Sequence, residues 1–292
     1  MRETLVSVVI PCYNQGRFVG EALESVFGQT YARVEVILVD DGSTDDLAAV
    51  LQPFAGRPEL AVIRQENRGL SAARNRGLAE AQGSLVQFLD ADDWLDPEKL
   101  ARQVAVLAAH PEIGLVFSDY FLVYNNVDLC EQDTVADRCD DPFNPDLFLT
   151  WWIQGVFPPC AALVRKEWIR RAGGFNTKLQ AYEDYEFWLR LSAHGCRASY
   201  LPDRLAYYRQ HEGSMTAEAD TRRLHAALQA ARSELARQFP DKIGAAMDYL
   251  DAYYYRREMQ LQEKLAALLA ENARLALAIH PTDGGEARAT CP

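Results

Sequence analysis

Asp90-Ala91-Asp92-Asp93 places three carboxylates in four consecutive positions. They follow Leu85-Val86-Gln87-Phe88-Leu89, an apolar run bounded by Gly83 and the acids, which reads as a buried strand. Crowding carboxylates at a strand end costs repulsion. A solvated turn tolerates that cost, and a bound divalent cation repays it. Hard cations such as Mg2+ and Mn2+ take oxygen ligands, and Mg2+ binds through one or two carboxylates together with substrate phosphates. Taken alone, the acidic turn fits a bare turn as well as a metal–phosphate site. The rest of the chain has to decide.

The elements that would position it alternate in type. Leu5–Ile10 is a short β-branched run, hence a strand, broken by the loop Pro11-Cys12-Tyr13-Asn14-Gln15-Gly16. Apolar residues at helical spacing occupy 18–27. Val34–Val39 is a second strand ending in Asp40-Asp41-Gly42-Ser43-Thr44, where Ser43 or Thr44 suits a helix cap. Leu60–Arg64 is a third strand, Gly69–Ala81 a helix and Leu85–Leu89 the fourth strand. This alternation predicts an α/β fold with a mostly parallel sheet. In such sheets ligands bind beyond the C-terminal strand ends. Tyr13-Asn14, Asp40-Asp41 and the acidic turn all fall on that rim.

Further along, 113–123 reads as a strand pair or an extended strand, 125–145 as a polar loop, and 166–172 as a helix. Glu183–Leu191 is a helix with three acids in its first turn, and 205–208 is a last strand. From 217 the chain turns rich in Ala, Leu, Arg, Glu and Gln, a helical extension. Leu261, Leu265, Leu268, Asn272, Leu275 and Ile279 form a short a/d stripe, compatible with a homodimeric coiled coil or with packing on the chain's own core. The expected division is a catalytic-type domain over 1–216, the extension over 217–280 and a disordered tail over 281–292.

Net charge is −12 over 292 residues, with no basic stretch, which argues against a nucleic-acid partner. Met1-Arg2-Glu3-Thr4 leads directly into a strand without a leader pattern, and no apolar run nears the roughly 20 residues that span a bilayer. The six cysteines lack zinc spacing. Cys12 and Cys160 read as small core residues; Cys130 and Cys139 are compatible with a pair, but reduced cytosolic thiols are the favoured reading.

The segments VSVVIPCYNQGRFVGEALESVFGQT, VEVILVDDGSTDD, ENRGLSAARNRGLAEAQG and FLDADDWLDPEKL, followed in order by RKEWIRRAGGF, YEDYEFWLRL and YRQHEGSMT, resemble family 2 glycosyltransferases over about residues 4–216. The resemblance implies a GT-A type, Rossmann-like sandwich. It also implies an inverting, metal-dependent transfer from a nucleotide sugar. By that resemblance Pro11, Tyr13 and Asn14 hold the nucleobase, Asp40 hydrogen-bonds its ring, and Arg74 lies near the nucleotide. Asn67 and Gly69 shape the approach of Arg74, while Arg68 and Arg76 are solvated. Asp90 faces ribose and metal, Asp92 is the principal ligand to Mn2+ or Mg2+, and His211 completes the metal or diphosphate shell. Asp93 is auxiliary, contacting the donor sugar or capping the next helix. Asp184 is the base, and Glu183 contacts the acceptor or fixes the loop. Trp151, Trp152 and Trp188 fit an acceptor cleft or the core equally.

The resemblance favours a UDP- or dTDP-linked donor and a glycan or lipid-linked acceptor in bacterial-type surface polysaccharide synthesis. It places the protein in the cytoplasm, with peripheral membrane contact as a further expectation. Three other readings are open to these residues. A phosphatase with an Asp-x-Asp nucleophile pair would leave the other acidic loops without a task. A nucleotidyltransferase would need a glycine-rich basic phosphate loop, which Cys12–Gly16 is not. A degenerate nucleotide-sugar binder or scaffold would not need Asp90, Asp92 and Asp184 intact.

Overall fold

The strand β1 (Val6–Cys12) is buried at all seven positions because it lies between β2 (Val34–Asp40) and β4 (Leu85–Phe88), parallel to both. That double burial is why VSVVI reads as an unbroken apolar run. With β3 (Leu60–Arg64) outside β2, the order β3-β2-β1-β4 reverses direction at β1, and the crevice between β1 and β4 is the switch point. Pairing with β4 stops at Val9–Phe88. The Leu89 N–H donates to the Val9 carbonyl, so alternate residues of β1 turn their backbone toward β4. Pro11 is the next residue on that side. Its missing N–H costs no ladder bond because β4 has already diverged.

In this computed structural model, residues 4–124, 127–129, 148, 151–152, 156–212, 214, 221–247, 259, 262 and 264 are described. Two compact units divide the chain, Met1–Ile243 and Gly244–Pro292, and every element named here belongs to the first. The stripe from Leu261 to Ile279, the tail, and Cys130 and Cys139 lie outside the described residues.

Helix α1 (Gly16–Phe27) follows β1 and buries Val19, Ala22, Leu23 and Val26 on one face. A short helix α2 (Leu47–Leu51) follows β2. It starts later than the Ser43/Thr44 cap expected from sequence; Asp46 holds the cap position, and Ser43 serves the loop instead. Helix α3 (Leu70–Glu80) turns Ser71, Ala73, Arg74 and Gly77 inward. A Cβ on Gly77 would stand 2.4 Å from Val9 Cγ1, so this glycine lets α3 sit directly on β1.

The second half of the sheet is mixed. Strand β5 (Trp94–Leu95), helix α4 (Lys99–Ala109), β6 (Ile113–Tyr124), β7 (Val127–Leu129) and β8 (Ala162–Arg165) come next. Helices α5 (Lys166–Ala172) and α6 (Glu183–Ala193) then precede β9 (Arg197–Gln210). The full order is β3-β2-β1-β4-β8-β6-β9-β5, with β7 on β6. The α/β class therefore holds. Parallel pairing runs through β1–β4 and recurs between β6 and β9, whereas β8 is antiparallel to both β4 and β6. The last strand is much longer than the 205–208 run suggests, because its register shifts on β6 interrupt the apolar pattern.

The extension begins as α7 (Thr221–Gln238), which packs on α6 within the first unit, so that unit runs on past residue 216. Ala231 and Leu235 are buried there, and Arg232 donates to the Trp152 carbonyl at 2.9 Å and to the Tyr185 hydroxyl at 3.2 Å. Trp151, Trp152 and Trp188 are core residues, each less than one-tenth exposed. Enlarging Gly77 to valine is expected to cost about 1–3 kcal/mol by overpacking α3 against β1. Urea unfolding would read this as a lowered midpoint at unchanged slope.

Candidate active site

Arg74 is 1% exposed and bonds to Glu183, 109 residues further along the chain, as well as to Asp90. Its Nη1 donates to Glu183 Oε1 at 2.8 Å, and Nη2 donates to both oxygens of Asp90 at 2.7 and 2.9 Å. The guanidinium also lies 5.0 Å from the Phe175 ring centroid. Burial works against its charge, but the fields of Asp90 and Glu183 dominate and hold it firmly protonated. The acidic turn and the start of α6 are thereby fixed side by side.

Asp184 follows Glu183 in the first turn of α6. Its carboxyl is pushed up to about 7 by burial and by the charge of Glu183, against the opposing pull of Arg74. The Tyr185 N–H donates to Asp184 Oδ1 at 2.7 Å. Tyr182, just before the helix, has φ 58°, and Asn14 on the opposite loop has φ 53°. Among the described residues these are the non-glycine positions in the left-handed region, and strain of this kind concentrates at functional loops.

The loops after β1 and β2 are knitted together. Asn14 Oδ1 accepts from the Thr44 N–H at 2.8 Å, and the Asn14 N–H donates to Ser43 Oγ at 3.1 Å. Asp40 is buried; its Oδ1 accepts from the Ser43 N–H at 2.7 Å, while Oδ2 faces Arg64 Nε at 3.6 Å. Asp41 is consumed by structure, accepting from Gln65 Nε2 and from the N–H groups of Arg68 and Gly69 at 2.8–2.9 Å. Gly42 has φ 82° and lies against Asn67 N, leaving no room for a side chain. Tyr13, 46% exposed, presents its ring at this rim, whereas Pro11 is buried in β1. Arg68 and Arg76 are exposed, as expected.

On the other side, His211 Nε2 lies 3.2 Å from Asp92 Oδ2. Burial and neighbouring Asp90 raise the Asp92 carboxyl, and His211 offsets part of that. An oxygen and an imidazole nitrogen at this separation suit Mn2+. Among the described residues no group of three Asp, Glu, His or Cys side chains is gathered for a metal. The pair would offer an ion two protein ligands, a number that Mg2+ sites completed by substrate phosphates commonly use. Asp90 is turned to Arg74 instead.

Asp93 does not cap the following helix, which begins at Lys99. It is buried, its carboxyl driven well up by burial and by Asp92 and Asp90, and its Oδ1 accepts from the Arg209 N–H at 2.9 Å. Sequence reasoning passed over Arg209, Arg17 and Lys99. Lys99 is fully buried and donates at 2.5 Å to Gln87, on the strand that delivers the acidic turn, and at 2.6 Å to Gln103 on its own helix. Its sequence surroundings give no hint, because a lysine in EKLAR reads as solvent-exposed.

The family model described as Glycosyl transferase family 2 matches residues 7–173, more than half of the chain. The chain belongs to glycosyl transferase family 2. Among its relatives, the glycosyltransferase GlyG of Streptococcus pneumoniae is 28% identical over 228 residues, covering 72% of each chain. The uncharacterized protein y4gI of Sinorhizobium fredii is 35% identical over 200 residues, 64% of this chain but 20% of its own length. An uncharacterized glycosyltransferase of Rickettsia conorii is likewise matched over 31% of its length, so the chain spans a fifth to a third of these two relatives. Staphylococcus aureus TarS in complex with UDP-GlcNAc superposes with a TM-score of 0.67 at 22% identity, over 80% of this chain and 66% of that one. The mannosyltransferase PcManGT of Pyrobaculum calidifontis, in complex with GDP-Man and Mn2+, gives 0.58 at 23% identity, over 95% and 81%. These likenesses establish the GT-A fold for this family 2 member.

Removing the guanidinium from the family 2 site is expected to be costly. Arg74→Met leaves Asp90 and Glu183 without their counter-charge, a loss of about 3–5 kcal/mol at neutral pH. Urea titrations of wild type and variant would show the loss as a lowered unfolding midpoint.

Proposed function

We propose that this family 2 glycosyltransferase moves a sugar from a nucleoside-diphosphate donor to an acceptor hydroxyl by a single displacement, inverting the anomeric centre. The observation that carries this reading is Arg74 joining Asp90 to Glu183, which sets a diphosphate-binding turn beside a raised carboxyl at Asp184. Asp184 accepts the proton of the attacking hydroxyl. The oxygen bonds to the anomeric carbon as the carbon–phosphate oxygen bond breaks, and that electron pair leaves on the diphosphate. A base titrating near neutrality balances availability against proton affinity.

Tyr13 and Asp40 hold the base by stacking and by one N–H acceptor, which favours a uracil or thymine donor. Asn14 ties the two base loops together, and Glu183 steadies the base helix through Arg74. Asp92, with His211, would hold Mn2+ or Mg2+, which would supply charge neutralisation to the leaving diphosphate. Asp90 stays with Arg74 and faces the ribose. The acceptor in this reading is a growing glycan or a lipid-linked one in surface polysaccharide synthesis. The site of action is cytoplasmic, with membrane contact peripheral; no helix among the described residues is long and apolar enough to cross a bilayer.

The decisive test is transfer assayed with nucleotide sugars and Mn2+. Asp184→Asn is expected to lower kcat by about 10²–10⁴-fold while leaving nucleotide affinity intact. Undiminished transfer by that variant would overturn the base assignment.

The wild-type rate should climb as pH rises through about 7, where Asp184 deprotonates. Stability should move the other way. The folded protein holds this proton to higher pH than the unfolded chain, so stability falls between the ordinary carboxylate range and about 7. Asp184→Asn is therefore expected to gain stability over wild type at pH 8 but not at pH 4, read by thermal unfolding at each pH.

A further inference from the structure

Arg209, near the end of β9, is nearly as buried as Arg74, and the transfer chemistry gives it no task. Its N–H donates to Asp93 Oδ1 at 2.9 Å, and its Nε donates to the Asp92 carbonyl at 2.8 Å. Nη2 donates to Glu21 on α1, whose side chain is about half exposed. The guanidinium carbon sits 4.7 Å from the Phe18 ring centroid and 4.5 Å from that of Trp94. Phe18 in turn packs on His211 at 4.8 Å between ring centroids, and Arg17 reaches His211 Nδ1 at 3.2 Å. One planar cation, carried by the strand end that leads to His211, thus bonds the acidic turn and α1.

The two groups that face each other across 3.2 Å, Asp92 Oδ2 and His211 Nε2, come from segments 119 residues apart. Arg209 also links those segments, through its Nε to the Asp92 carbonyl and its backbone N–H to Asp93. A flat fork with donors on separate edges can hold a carbonyl and a carboxylate at fixed directions while its faces rest on rings. A lysine has neither the fork nor the faces.

We propose that Arg209 is a positioning residue that presets the Asp92–His211 pair for a divalent cation and diphosphate, its guanidinium acting through the Asp92 carbonyl and Glu21 on α1. This inference rests on the functional reading above. It separates the two ends of the donor site. The diphosphate end depends on Arg209, whereas the base end, built by Tyr13, Asn14 and Asp40 on the β1 and β2 loops, does not.

The test uses the full chain with Mn2+ and UDP, and with uridine alone. Free Mn2+ is read by electron paramagnetic resonance, and uridine binding by ligand-observed NMR. In Arg209→Met the Mn2+–UDP affinity should fall by about 10–100-fold, as for lost outer-shell partners, with uridine binding unchanged. Arg209→Lys should recover only part of the loss. Glu21→Gln, altered at a half-exposed position, keeps the fold and should show a smaller loss in the same direction, so it carries the test should Arg209→Met not fold. Mn2+–UDP affinity equal to wild type in the folded variants overturns the proposal, and so does an equal fall in uridine affinity. Failure of the wild type to bind Mn2+ with UDP strikes the functional reading itself, and this inference with it.

Discussion

A buried guanidinium between two carboxylates organises this molecule. Arg74 cannot be solvated, so its charge is sustained by Asp90 and Glu183, and those carboxylates are in turn held apart from one another by it. An arrangement of this kind is not chosen for stability alone, since apolar replacements often pack as well. What it provides is placement. The turn after β4 and the first turn of α6 are remote in sequence, and a bidentate ion pair fixes both their distance and their orientation.

The fold supplies what that pair needs. Gly77 lets α3 approach β1 closely, which carries Arg74, one turn earlier, over the mouth of the β1–β4 crevice. The divergence of β4 from β1 after Phe88 opens that crevice, and Pro11 marks the place where the ladder is free to end. On the other flank α7 braces α6 through Arg232, Tyr185 and the Trp152 carbonyl, so the helix bearing Asp184 is supported from behind by the start of the extension. The strained Tyr182 is held at the junction between these supports.

Much of the N-terminal half is legible in the sequence because its strands are buried on both faces and read as plain apolar runs. Val34–Val39 and Leu85–Leu89 sit within a residue of the observed strands for that reason. The caps were less legible. Ser43 and Asp93 are good cap residues by type, yet each is engaged by a partner distant in sequence, Asn14 for one and Arg209 for the other. Local propensity cannot register a competitor that arrives from elsewhere in the chain. Strand β9 is only partly legible because its register shifts break the alternation that signals a strand.

By itself the sequence determined the residue types that can do the chemistry: the carboxylates at 40, 90, 92 and 184, the aromatic ring at 13 and the imidazole at 211, each at a strand end or helix start. The positions at 13, 40, 90 and 92 follow from periodicity and punctuation, which are local, whereas 184 and 211 follow from the resemblance to family 2. Tertiary structure alone decided how the charges are shared. It gave Asp90 to Arg74 and left Asp92 with His211, engaged Asp41 wholly in the loop, and buried Lys99 and Arg209 among partners that no spacing announces. The physical reason is desolvation. Once these groups leave water, each must find a specific partner, and the available partners are set by which segments the sheet brings together.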